Sequence, residues 1–250
     1  MINYKSEGEI EIMRQGGAKL KKVISALDAL LKPGVTTLEI DTYALTLIKN
    51  EGGESSFNKV SGYDFSTCLP VNEQIVHTRP SNRVLKDGDV FTLDIGMYYK
   101  GYHTDFAKTV VIGNKKDDKV KKFLEVGKLA LEKSISQAKY GNRLGDISKV
   151  IETEIYKNGY FIIKELTGHG IGKDLHEEPY VFGYLEKPVE KTLLIKSGLT
   201  IAIEVIYAMG TEKMKHEPGD DWSIITDDSS LSGCFEHTIA VTNSNTLILT

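Results

Sequence analysis

Four acidic residues lie in stretches of this chain that otherwise read as buried β-strands. A fold that accepts those strands must also supply the charge that lets the acids stay there. Asp94 sits in FTLDIG, Glu204 in IAIEVI and Glu236 in CFEHTIAV. Burying an unpaired carboxylate is costly unless it is paired or bound to a cation. The fourth acid, Asp105, belongs to the same hairpin as Asp94, over Asp89 to Thr109 (DVFTLDIGMYYKGYHTDFAKT). β-formers precede a turn around Tyr99-Lys100-Gly101, and a second strand continues into Val110, Val111 and Ile112. A turn centred between Tyr99 and Lys100 sets Asp94 directly opposite Asp105, with Cβ atoms roughly 5 Å apart. A bulge at Gly101 shifts that register by one. Taken alone, the hairpin is equally compatible with two solvated acids near Lys100 and Lys108. The full set is not, because no basic residue interrupts the immediate apolar flanks of the four acids.

Two histidines join them. His169 lies between glycines in Gly168-His169-Gly170-Ile171-Gly172, where the missing side chains let backbone approach closely. His176 follows in His176-Glu177-Glu178-Pro179. Four carboxylates and a neutral imidazole balance two divalent cations. Such a pair of ions can generate a nucleophile from water near neutral pH. The oxygen-rich donor set favours harder ions such as Mn or Fe(II) over a thiolate zinc site.

Composition excludes several alternatives. The 250 residues suffice for one large domain or two small ones, and 40% hydrophobic with 26% charged residues is ordinary for a globular chain. A net charge of −4 gives no reason to expect nucleic acid or an anionic membrane as a partner. Cys68 and Cys234 form neither a metal spacing nor a disulfide framework, which points to a reducing compartment. The N-terminus turns acidic at once, unlike a signal peptide, and no apolar run approaches the ~20 residues of a membrane span.

The order of elements repeats. Ser6 to Glu9 is a capping box heading a helix whose apolar positions run from Ile10 to Leu31, stopped by Pro33-Gly34. Thr36 to Glu39 opens a second helix, ending at Gly52-Gly53. Short strand signals and loops fill Ser55 to Pro80, and the hairpin follows. A helix is then predicted over Asp117 to Lys139 and another over Asp146 to Asn158, before strands at Phe161–Ile163, Leu199–Tyr207 and Glu236–Val241. KPGVTTLEID (Lys32 to Asp41) aligns with KYGNRLGDIS (Lys139 to Ser148) at the helix break. The expectation is a duplicated α+β unit, with halves of about 1–113 and 114–250 in a single 1–250 domain sharing one core.

The order Asp94, Asp105, His169, Glu204, Glu236, within GHGIG, HEEP and EHTI, resembles the methionine aminopeptidases, most closely their short type I form, from about Ser6 to Thr250. The resemblance implies a pita-bread fold, two pseudo-twofold-related α+β halves around a curved antiparallel sheet. It also implies a metal-dependent hydrolase that removes the initiator methionine from nascent proteins whose second residue is small. By the same carry-over, Asp94 chelates one metal, Asp105 and Glu236 bridge two, and His169 and Glu204 complete the other. Glu204 also accepts a proton from the attacking water. His77 and His176 match the family's substrate-facing histidines, one on the scissile amide and one on its carbonyl oxygen. Tyr63, Cys68, Leu175 and Trp222 fall where the family builds its methionine pocket. The cofactor implied is two divalent ions drawn from Co, Mn, Fe(II) and Zn. The partners implied are N-terminal methionyl peptides and nascent chains, for a monomer in the cytoplasm with no direct nucleic-acid or membrane contact. Association with the ribosome stays open, though no zinc-finger extension precedes Ser6. The chain departs from the family at Val205, where proline is usual, at Thr78-Arg79-Pro80, at Leu175 and Val60, and over Gly210 to Asp221. These departures bear on pocket shape, not on the ligands.

The alternative enzyme is a proline-type dipeptidase or aminopeptidase using the same five ligands. Such relatives usually carry an extra N-terminal domain, and the sequence around Glu236-His237-Thr238 fits them less well. A non-catalytic pita-bread binding protein would be expected to have lost ligands, and all five are present here.

Overall fold

Helix boundaries follow the capping chemistry in a computed structural model of the chain, which describes residues 2–115 and 117–250. Ser6 and Glu9 close a reciprocal box at the head of α1 (Glu7–Asp28), and Thr36 and Glu39 do the same for α2 (Thr37–Asn50). α1 ends earlier than the apolar pattern suggests. Leu30 N–H donates to the Leu27 carbonyl, so the chain has left the helix before Leu31. α3 (Asp118–Ile135) is capped by the Asp117 carboxylate and stops short of Lys139, where Gln137 and Ala138 make three-residue turns. α4 (Leu144–Tyr156) begins two residues before the predicted Asp146. The Asp146 carboxylate accepts the Arg143 N–H (2.8 Å), which places Asp146 inside the first turn.

The strands in chain order are β1 (Glu54–Ser55), β2 (Thr67–Cys68), β3 (Gln74–Val76), β4 (Val90–Tyr99), β5 (Tyr102–Val111), β6 (Phe161–Ile162), β7 (Thr167–Gly170), β8 (Glu177–Phe182), β9 (Thr200–Ala208), β10 (Met214–His216), β11 (Ile224–Thr226), β12 (Ser232–Val241) and β13 (Thr246–Ile248). One antiparallel sheet runs β1-β4-β5-β12-β9-β7-β8, with β2, β13 and β6 pairing onto β4, β12 and β9. A small second sheet is ordered β10-β11-β3.

The repeat in sequence is a repeat in structure. Gly34 and Gly141, at φ +94 and +88, follow the first helix of each half. Thr36 and Arg143, each just ahead of a second helix, make matching isolated bridges to Val84 and Leu194. The main sheet crosses the boundary between the halves without a break, at Ala107↔Glu236 and Phe106↔His237. Behind the sheet, each half builds an apolar cluster with its own pair of helices. Phe91, Leu93 and Ile95 pack with α1 and α2, while Ile201, Ile203 and Val205 pack with α3 and α4. Each helix pair covers its own stretch of sheet, and further apolar clusters join the halves: Ile10, Met13 and Tyr63 pack with Ile171, Leu175 and Leu249, and Ile75 and Ala107 with Ile206 and Cys234. In both stretches the odd-numbered side chains face the helices. Strand alternation therefore turns Asp94, Glu204 and Glu236 to the opposite face.

The glycines around His169 serve close backbone approach. A Cβ on Gly168 would lie 2.4 Å from the Ala202 carbonyl oxygen of β9, and one on Gly170 would lie 2.3 Å from the Glu178 carbonyl oxygen. Neither backbone can yield without breaking strand pairing. Gly168→Ala is expected to destabilise the protein by about 3 kcal/mol, lowering its thermal midpoint by roughly 5–10 °C. An unchanged midpoint in a melting scan would show that β7 is not pinned here.

Candidate metal centre

Five adjacent strands of the main sheet contribute one metal-binding type of side chain each: Asp94 from β4, Asp105 from β5, Glu236 from β12, Glu204 from β9 and His169 from β7. The register places them together. Asp94 faces Ala107, Ala107 faces Glu236, and Glu236 faces Glu204, making one row across four strands. Asp105 lies two residues from Ala107, and His169 pairs with Ala202, two residues from Glu204. A spacing of two keeps both on the same face as the row.

The expected direct pairing of Asp94 with Asp105 is corrected by this register. The hairpin turn is Lys100-Gly101, with φ of +49 and +92, and Tyr99 faces Tyr102. Two consecutive left-handed residues suit the twist of a two-residue hairpin loop. The turn centre therefore sits one residue later than expected. Asp94 and Asp105 remain on one face as diagonal neighbours rather than a facing pair. The acids that do face each other are Glu204 and Glu236.

Three of the groups converge closely: ligand atoms of Asp105, His169 and Glu236 lie within 4.8 Å of one another. Those three side chains are buried, whereas Asp94 and Glu204 keep some exposure because they open onto the cavity. Burial, joined by the charges of Asp105 and Glu204, holds the Asp94 carboxyl well above the usual carboxylate range. Burial pushes Asp105 up to about 7 and raises Glu204 and Glu236 as well, the last two also through the charge of Asp105. Glu236 Oε1 is buried with no hydrogen-bond partner. His169 Nδ1 lies 2.8 Å from the Gly170 carbonyl oxygen, which fixes the proton on that nitrogen. Its other nitrogen, Nε2, is left as a lone pair facing Glu204 Oε1 at 3.4 Å. Burial and the nearby His176 push the His169 pKa down to about 3, so the ring carries no compensating charge. An orphaned carboxylate oxygen, a lone pair aimed at a carboxylate and four clustered acids fit bound cations.

Without a cation the same cluster carries a pH signature. Asp105 is displaced from 3.8 to about 7, so the folded protein holds a proton that the unfolded chain has released. Asp105 therefore takes stability away as pH rises between those values, while the buried neutral histidines His77 and His169 act with the opposite sign. In chelator, the thermal midpoint of Asp105→Asn minus that of the wild type is expected to grow from about pH 4 to about pH 7. A difference that shrinks over that range would contradict the charge cluster.

A cavity of about 440 Å³ opens over the row. His77, His176, Tyr63, Cys68, Leu175 and Trp222 all line it, together with the five candidate ligands. His176 stands 4.5 Å from His169 between ring centroids. His77 takes a left-handed backbone, φ +55, and burial with the charges of His176 and His216 lowers its pKa to about 4. The Tyr63 ring meets Trp222 edge-on at 5.0 Å, and the Cys68 thiol donates to Tyr63 Oη at 3.1 Å. Sequence reasoning missed Cys234, which lines the cavity, and Thr238, which clasps β12 to β5 through bonds to Asp105 N (2.8 Å) and O (2.9 Å). Both stand two residues from Glu236, so strand alternation carried the signal.

Comparison with known proteins adds independent findings. The model of metallopeptidase family M24 matches residues 11–243. Methionine aminopeptidase 1 of Bacillus subtilis is 40% identical over 250 residues, covering 100% of this chain and 99% of the relative. The crystal structure of a methionine aminopeptidase from Thermotoga maritima superposes with a TM-score of 0.95 at 33% identity, covering 100% of this chain and 99% of that one. A prolidase from Pyrococcus furiosus shares the fold at a TM-score of 0.79 and 22% identity; the match spans 99% of this chain and 65% of that one. The pita-bread architecture expected from the sequence is the one these structures share.

Proposed function

We propose residue roles from one premise: the chain belongs to metallopeptidase family M24, and within it to the methionine aminopeptidases, metal-dependent hydrolases that remove an N-terminal methionine. The observation that carries the proposal is the set of four acids and His169 on one face of five adjacent strands, with Glu236 Oε1 unpartnered beneath a cavity that His77 and His176 line.

Asp94, Asp105, His169, Glu204 and Glu236 would hold the two metal ions. Bound divalent metal supplies positive charge that acidifies water and polarises the scissile carbonyl. Four carboxylates match the charge of two such ions, and hard oxygen donors favour Mn or Fe(II) within the set Co, Mn, Fe(II) and Zn. His169 is held by Gly170 in the tautomer that presents Nε2 to the site. Glu204 takes the proton of the attacking water and returns it to the departing amine, from a carboxyl that faces Glu236 and lines the cavity. His77 and His176 have pKa values lowered by burial. They are neutral at pH 7, so each ring has one donor and one acceptor nitrogen: one hydrogen-bonds the scissile amide and the other donates to its carbonyl oxygen. Tyr63, Cys68, Leu175 and Trp222 enclose the methionine side chain, where a thioether finds aromatic and sulfur contacts. The enclosed site favours a small second residue.

The chain acts as one catalytic unit, since both halves supply ligands, and as a monomer in the cytoplasm on nascent chains, with ribosome association a separate matter of surface. Among the described residues no helix is long and apolar enough to cross a membrane. The test is release of methionine from Met-Ala-Ser against hydrolysis of an Xaa-Pro dipeptide, with Mn or Co added. Methionine release that chelator abolishes and metal restores is expected. Preferential Xaa-Pro cleavage would move the protein to the proline-specific branch.

A further inference from the structure

Two loops meet at the mouth of the cavity, and the strand pairing that joins them stops just short of it. β3 pairs with β11 through Gln74↔Ile225 and Val76↔Ile224. The next residue on one side, His77, turns to φ +55, so the ladder cannot continue. Beyond the last rung an ion pair takes over. Arg79 Nε donates to Asp220 Oδ1 at 3.1 Å, and a terminal guanidinium N–H donates to the same oxygen. Asp220 Oδ1 also accepts the Trp222 N–H at 2.9 Å, and Oδ2 accepts the Ser223 hydroxyl at 2.6 Å. One carboxylate thus ties the loop of His77 to the backbone of Trp222, whose ring lies against Tyr63.

The pair does not hold the fold. Its side chains are 37% and 25% exposed, and ion pairs at such sites contribute little to global stability. The loops are already joined by β3 and β11. What remains for the pair to set is the placement of the two segments beyond the ladder, and each carries a residue that lines the cavity. We propose that Arg79 and Asp220 form a positioning pair that holds Trp222 across the cavity mouth and thereby sets affinity for the methionyl side chain. The proposal rests on reading the cavity as the methionine pocket.

Trp222 is the chain's single tryptophan, so its emission reports on the loop directly. The experiment uses Mn-loaded protein, wild type, Arg79→Ala and Arg79→Lys, measuring tryptophan emission, acrylamide quenching and steady-state kinetics on Met-Ala-Ser. Arg79→Ala is expected to red-shift the emission, increase quenching and raise KM about tenfold, the scale of one charge-assisted hydrogen bond. Its kcat, metal content and thermal midpoint stay near wild type. Arg79→Lys restores part of the KM, and saturating free methionine pulls the Arg79→Ala emission back towards the wild-type value. If Arg79→Ala fails to fold, the wild type answers instead: 1 M NaCl screens an exposed pair and is expected to raise KM. Unchanged emission and KM in folded Arg79→Ala, a fall in kcat at constant KM, or a salt-indifferent wild-type KM overturns the proposal. A wild type that releases no methionine at all would sink the pocket reading, while the emission arm would still show whether Arg79 holds Trp222.

Discussion

The Asp105→Asn protein is expected to release methionine roughly a thousandfold more slowly than the wild type. Charge stabilisation by bound metal is worth several kcal/mol in the transition state, and about 1.4 kcal/mol is tenfold in rate. Asparagine keeps the shape of the site. The Asp105 side chain accepts the Phe106 N–H at 2.9 Å, which an amide oxygen can still accept. Its main-chain clasp to Thr238 does not involve the carboxylate. The substitution therefore removes charge without removing a supporting bond. In the metal-free state it relieves repulsion among four clustered acids, so the variant is expected to melt higher than metal-free wild type. It should also lose most of the stabilisation that added Mn gives by binding the native state alone. Wild-type turnover in this variant would refute the assignment of Asp105.

The His77→Ala protein is expected to keep its metal and lose 10²- to 10³-fold in kcat, the range for removing one donor to a developing oxyanion. KM should move much less, since an interaction made mainly in the transition state shows in kcat. The left-handed backbone at His77 complicates alanine, so His77→Asn, which tolerates that conformation, is the control. Both should show similar kcat losses with full metal content by elemental analysis. Metal loss matching the activity loss would place His77 among the ligands instead.

The sequence was most legible where the chemistry is local. The boxes at Ser6–Glu9 and Thr36–Glu39 mark helix starts to the residue. The acids in apolar strands were conspicuous because a carboxylate in such a stretch has few explanations, and every residue singled out for the site lines the one cavity. Register was harder. Moving the hairpin turn by one residue set Asp94 opposite Ala107 instead of Asp105, and turn position depends on twist that composition does not encode; the facing Glu204–Glu236 pair is fixed by the separate β9–β12 ladder. Strands of three residues, such as β3, β10 and β11, are too short to show periodicity, so the small sheet at the cavity mouth was invisible. The Arg79–Asp220 pair joins residues far apart in the chain, which no local pattern can reveal. Cys234 and Thr238 could have been found by stepping two residues from Glu236.

The most direct test of the metal centre is an anomalous-difference map from crystals grown with Mn, recorded at the Mn edge. The account predicts strong peaks within coordination distance of Asp105 and Glu236, flanked by Asp94 on one side and by His169 and Glu204 on the other. A map with no peak among these five side chains, from protein that still releases methionine, would contradict it.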